Sequence, residues 1–145
     1  MINNKNEEID SDEIEFIKYK NQRLQQLEKN RIPTLQSEQD LINLTKEETM
    51  IVHFFDPKFK RCDQMDKALN LVYLKFPCIQ FYRIQASLAS FVTKRLQIVA
   101  LPTLAFFKDG YFVDSVVGFE NVGNEKLDLE ELNAYIENSP ITKDL

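Results

Sequence analysis

Apolar positions along this chain recur with two different periods, and the changes of period mark its elements. Between residues 11 and 31, Ile14, Ile17, Leu24 and Leu27 return at helical spacing, with Asn21 filling the gap in the stripe. Asp10 and Glu13 stand at capping-box spacing, acids crowd the first turn, and Lys29 and Arg31 fall in the last, as the helix dipole favours. Pro33 stops this predicted helix. Its stripe is narrow, so the helix is marginal alone and needs a surface to lie on, whether in this domain or on a partner. Residues 1–10 are polar and read as a frayed start.

After Pro33 the pattern changes. Residues 34–36 predict a short edge strand, and Ser37 caps a helix carrying Leu41, Ile42 and Leu44. Residues 49–55 form a continuous apolar run with β-branched members, as in a strand covered on both faces. Residues 60–76 return to helical spacing, with Met65, Leu69, Val72 and Phe76 in one stripe and Pro77 as the stop. Residues 79–85 predict a strand and 88–96 a short helix. Residues 103–108 and 111–117 predict a hairpin around Lys108-Asp109-Gly110. Residues 127–137 predict a closing helix with Leu129, Leu132 and Ile136 inward. The order βαβαβαββα predicts an α/β sandwich around a mixed sheet. The expected boundaries are 1–33 for the start and its helix, 34–139 for the domain, and 140–145 for a tail.

Composition narrows the function. A length of 145 residues suits one ordinary domain plus a tail, and 43% hydrophobic content with 11 Phe and no Trp predicts a Phe-built core. A net charge of −5 argues against nucleic-acid binding, which needs clustered Lys and Arg. No apolar run reaches 18 residues, so no transmembrane helix is expected. The polar N-terminus lacks the apolar core of a signal peptide, and two distant cysteines suit a reducing compartment. The expected location is therefore cytoplasmic, with the nucleus as a second site. With three glycines there is no phosphate-binding loop, and two Cys with one His form no metal cluster of usual spacing. No cofactor or metal is expected.

Two residues invite chemistry. Cys62 falls in the first turns of the helix predicted from residue 60, where the helix end and Lys58, Lys60 and Arg61 favour a thiolate. The commoner fate of a lone cysteine is a half-buried structural role. Cys78 lies sixteen residues further along the same helix, roughly 20 Å away at helical rise, which is beyond disulfide reach. His53, the only histidine, sits on the strand that feeds the loop before Cys62. It reads either as half of a thiol–imidazole pair or, more commonly, as a satisfied core group.

Several segments carry a family resemblance. The strand ending His53-Phe54-Phe55, the loop entering a long helix, and Ala100-Leu101-Pro102-Thr103 ahead of a second strand resemble the thioredoxin fold. That resemblance implies a cis bond at Pro102 and a buried Asp at the position His53 fills here. Where thioredoxins carry Cys-x-x-Cys this chain has Phe59-Lys60-Arg61-Cys62. A disulfide exchanger needs an attacking and a resolving thiol, so that cycle cannot run. Phe16-Ile17-Lys18-Tyr19, the Arg61-Cys62 loop, Leu101-Pro102-Thr103-Leu104 and Val116-Val117-Gly118-Phe119 together resemble the phosducin-like family, third class. The resemblance implies a non-enzymatic co-chaperone that binds the cytosolic chaperonin CCT (TRiC) and modulates folding of actin or tubulin clients. Phosducin's longer N-terminal region for G-protein βγ has no counterpart in the one short helix here. The alternative is a monothiol redox protein using Cys62. The expected site residues are Ile14, Ile17, Leu24 and Leu27 as partner anchors, Cys62 with His53 nearby as a residual thiol, and Pro102 as structural.

Overall fold

A computed structural model describes residues 32–145, which form one compact unit, Ile32–Leu145. The helix expected over 11–31, with Ile14, Ile17, Leu24 and Leu27, lies outside the described residues. The elements are β1 (Thr34–Leu35), α1 (Glu38–Thr45), β2 (Met50–Phe55), α2 (Lys60–Val72), β3 (Gln80–Gln85), α3 (Ser90–Arg95), β4 (Thr103–Lys108), β5 (Tyr111–Val117) and α4 (Leu129–Asn138). The sheet order is β1-β3-β2-β4-β5, with β1, β3 and β2 parallel and β4 and β5 antiparallel. This is the α/β sandwich around a mixed sheet expected from the element order, and the thioredoxin-like arrangement that the resemblance implies.

β2 lies at the centre and all six of its residues are buried. The period of a strand sends alternate side chains to opposite faces. Met50, Val52 and Phe54 therefore join Leu41 of α1 and Val92 of α3 in one core. Ile51 joins Met65 and Leu69 of α2 and Leu132 and Ile136 of α4 in the other. Glu38, in the first turn of α1, accepts from the Val92 amide at 2.7 Å and ties the two helices of its layer together. Ser37 caps α1 as expected, its hydroxyl accepting from the Asp40 amide.

Three local differences from the sequence pattern have physical causes. The second helix ends at Val72, not at Phe76. Tyr73–Lys75 tighten into a 3₁₀ turn, and Phe76, which precedes proline, leaves helical dihedrals. Leu129 is not inward. It is 40% exposed at the first position of α4 and lines an open groove with Ala68, Leu71 and Leu127. Residues 140–145 are not a tail, because Pro140–Thr142 form a turn that buries Ile141 completely.

The hairpin closes through Asp109 and Gly110, both at positive φ (54° and 85°), as a two-residue turn on twisted strands requires. Beyond it, the outer edge of β5 is covered at its middle. The Gly118 amide bonds Pro102 O, so by antiparallel alternation the Ser115 amide and carbonyl point away from β4. The Asp114 carboxylate accepts from that amide at 2.8 Å, and the Tyr135 hydroxyl of α4 stands 3.1 Å from the carbonyl. Tyr135 also donates to Asp114, as does Ser139. Burial, with the Asp114 carboxylate, pushes the Tyr135 hydroxyl up to about 12.

Because Phe54 is fully buried between β2 and the α1/α3 layer, Phe54→Ala should cost about 3–5 kcal/mol in denaturant unfolding. A loss below about 1 kcal/mol, typical of surface positions, would contradict the packing described.

Candidate functional site

The site begins where β2 leaves the sheet. Asp56 Oδ1 accepts from the Lys58 amide at 2.9 Å, and the Phe59 amide returns to the Asp56 carbonyl, so Asp56-Pro57 fold a tight turn into α2. Phe59 takes the N-cap position without any side-chain cap, and its ring is 47% exposed. Arg61 turns away from the loop. It donates to the carbonyls of Asn124 and Glu125 and lies 4.4 Å over the Phe119 ring, fastening the segment after β5 to the start of α2. That segment needs Gly123, since a Cβ there would stand 1.9 Å from Lys126 O.

Cys62 is 2% exposed beneath this loop, and its Sγ accepts a long contact from the Asp56 amide at 3.5 Å. Burial pushes the thiol above its ordinary value, and the Asp66 and Asp56 carboxylates push the same way. The thiolate expected from the helix end and its cations is therefore corrected. Lys58 and Lys60 are exposed, Arg61 is engaged elsewhere, and desolvation dominates. Cys78 is free and exposed, beyond the 3₁₀ turn that follows α2.

His53 is a buried core group, the commoner of its two readings, and its hydrogen-bond partner is a carboxylate and not the Cys62 thiol. β1 and β2 both pair in register with β3, at Thr34↔Arg83 and His53↔Arg83, so three polar side chains share one row beneath α2. Asp66, one helical turn after Cys62, comes down on that row. Its Oδ1 receives His53 Nδ1 at 2.9 Å and Arg83 Nε at 3.1 Å, and its Oδ2 receives Arg83 Nη2 at 2.8 Å. Arg83 Nη1 donates to Thr34 Oγ1 at 2.8 Å, and the guanidinium lies 3.9 Å over the Phe55 ring.

The chemistry fixes the histidine's state. Burial lowers its affinity for a proton; Asp66 works the other way, and Arg83 reinforces burial. The imidazole is neutral near pH 7. A carboxylate accepts only, so Nδ1 carries the hydrogen and Nε2 is a bare acceptor, buried without a partner among the described residues. Burial alone would raise Asp66, yet the His53 hydrogen bond and the Arg83 charge outweigh it and hold the carboxyl below its usual range. Asp66, which the sequence pattern does not single out, orients His53 toward itself. It lies between Asp63 and Lys67, whose exposed pair makes that side of the helix read as solvated. The signal that could have found the cluster is Arg83, a charge at the same pleat parity as buried Phe81 on β3.

The Leu101–Pro102 bond is cis, and Pro102 is buried at the start of β4. Among the described residues no group of His, Cys, Asp or Glu is placed to hold a metal. The arrangement offers a lone protonated thiol and a sealed neutral imidazole. Neither is placed to exchange a disulfide or to abstract a substrate proton.

A family model described as Phosducin matches residues 3–141. Phosducin-like protein 3 of Dictyostelium discoideum is 31% identical over 143 residues, covering 90% of this chain and 77% of that protein. Human thioredoxin domain-containing protein 9 is 34% identical over 132 residues, covering 81% of this chain but 58% of the human protein. Its Arabidopsis thaliana homolog is 31% identical, and the chain spans 62% of it. Among solved structures, mitochondrial thioredoxin 3 of Saccharomyces cerevisiae superposes with a TM-score of 0.63 at 19% identity, over 76% of this chain and 97% of that one. Plasmodium falciparum thioredoxin gives 0.63 at 20% identity, over 73% and 97%. At such identities these structures speak for the fold alone.

Two measurements check this site. In the native protein a thiol-reactive disulfide dye should label Cys78 promptly and Cys62 only on unfolding; rapid double labelling would refute the burial of Cys62. Asp66→Ala should destabilise the protein by about 3 kcal/mol, because Arg83 and the His53 N–H lose a shared acceptor. A cost near zero in denaturant unfolding would show the cluster to be solvated.

Proposed function

The chain belongs to the phosducin family, and from that premise we propose that it is a non-enzymatic co-chaperone that binds the cytosolic chaperonin CCT (TRiC) and modulates folding of actin- and tubulin-type clients. The observation that carries the non-enzymatic reading is the start of α2. An exposed Phe59 ring stands where a dithiol loop would place its attacking sulfur, and the remaining Cys62 thiol is buried and protonated. Thiol exchange requires an accessible thiolate, so the fold is retained while its redox chemistry is not. The monothiol alternative through Cys62 loses its support on the same grounds.

The proposed setting is the cytoplasm, with the nucleus as a second site. Ile14, Ile17, Leu24 and Leu27 are the proposed anchors for the partner, because apolar residues at that spacing suit helix-in-groove recognition. The compact unit from Ile32 onward has its own sheet with a helical layer on each face.

Affinity capture of the tagged full chain from a cytosolic extract tests the reading. The different subunits of the chaperonin should be recovered in roughly equal amounts, and Cys62→Ser should leave that recovery unchanged. Replacing Ile17 and Leu24 by Ser should reduce it without shifting thermal unfolding of the domain. The protein should not reduce insulin disulfides. Absence of chaperonin subunits, or insulin reduction that Cys62→Ser abolishes, would overturn the proposal.

A further inference from the structure

The polar cluster under α2 has no part in the function proposed above, and its geometry is asymmetric. His53 is completely buried, whereas the Arg83 and Asp66 side chains keep 17% and 24% exposure. Water therefore reaches the cluster at Asp66 and Arg83 and not at the imidazole itself. Arg83 is also the member of the cluster that holds β1, a strand of two residues on the far side of β3 from His53. Its attachments to the neighbouring strand centre on Arg83, whose amide donates to the Pro33 carbonyl and whose Nη1 donates to Thr34 Oγ1. Asp66 in turn fixes the guanidinium with two bonds, while sharing Oδ1 with His53.

We propose that His53, Asp66 and Arg83 form an acid-sensitive latch on β1, so that protonating His53 releases the first strand of the domain. The proton has one place to go. Nδ1 already carries hydrogen, so the added proton binds Nε2, which has no acceptor among the described residues. The resulting imidazolium stands beside Arg83 across the β2–β3 pairing and competes with it for one carboxylate. Among the described residues the charged groups facing the imidazole are Asp66 on α2 and Arg83 on β3. Cys62 on α2 and Asp56 at the end of β2 are the next titratable groups, coupled to the same carboxylate and guanidinium. From β4 the residue opposite is Leu104, which offers no charge. Relief comes at Arg83, the partly exposed cation of the pair. As it swings away from the imidazolium it lets go of Thr34, β1 loses that tie to the edge of β3, and water enters beside the displaced guanidinium. A two-residue strand is the cheapest element of the sheet to detach.

The sign follows from linkage. A histidine whose proton affinity is lowered in the closed state favours the open state as pH falls below its ordinary value of 6.5. The test is native-state hydrogen exchange of the full chain across neutral to mildly acid pH, corrected for intrinsic exchange. Protection of the Arg83 amide should fall as pH drops below 6.5, by at most about tenfold per pH unit for a single proton. Its exchange should depend less on low denaturant than that of amides pairing β2 with β4, because releasing Ile32 and Leu35 exposes less surface than parting the central strands. His53→Phe should abolish the pH dependence. Should that variant not fold, the imidazole nitrogen resonances of the wild type decide, since His53 is the only histidine. Their titration must begin below pH 6.5 and coincide with the loss of Arg83 protection. Three results would each overturn the latch: protection independent of pH, a denaturant dependence equal to that of the β2–β4 amides, or an imidazole already charged above pH 6.5.

Discussion

One carboxylate ties this sheet to its covering helix. Asp66 accepts from His53 on β2 and twice from Arg83 on β3, and through Arg83 it reaches Thr34 on β1. Three strands and α2 thus meet at a single acceptor. Placing charge under a helix is expensive, and the expense is offset here by saturation: both carboxylate oxygens and three guanidinium nitrogens are paired, and the Phe55 ring closes the stack. Within this cluster His53 Nε2 has no partner among the described residues, which is tolerable because it is a neutral acceptor and not a charge.

The loop above that cluster keeps a thioredoxin-like architecture with different side chains. The turn at Asp56-Pro57, the helix that follows and the buried Pro102 loop are all in place. What differs is chemical rather than architectural: a ring at residue 59 and a desolvated sulfur at residue 62. Arg61, which on sequence would activate that sulfur, serves the far loop by holding Asn124, Glu125 and Phe119. A cation close in sequence is thus not close in effect.

Most of the architecture was legible from periodicity. The sheet-forming runs, the cap at Ser37, the turn at Asp109-Gly110 and the two-faced burial of β2 follow from spacing and turn chemistry alone. What escaped depended on register. Only the in-register parallel pairing places His53 beside Arg83, and only the rotation of α2 brings Asp66 above them. Such coincidences join residues 13 and 17 positions apart in the chain, which no local window contains. Leu129 and Ile141 escaped for a related reason. Burial at the two ends of a helix depends on what lies beyond them, not on the helix's own stripe.

The outer strand β5 has a further consequence. Its central amide and carbonyl at Ser115 are already engaged by Asp114 and by Tyr135 from α4, with Ser139 completing the arrangement. A sheet border of this kind gives an incoming chain no continuous backbone template to zip onto. The molecule can carry exposed Tyr111 and Phe112 on that border without inviting cross-β stacking between copies. Recognition at this flank must proceed through side-chain shape and not through strand addition.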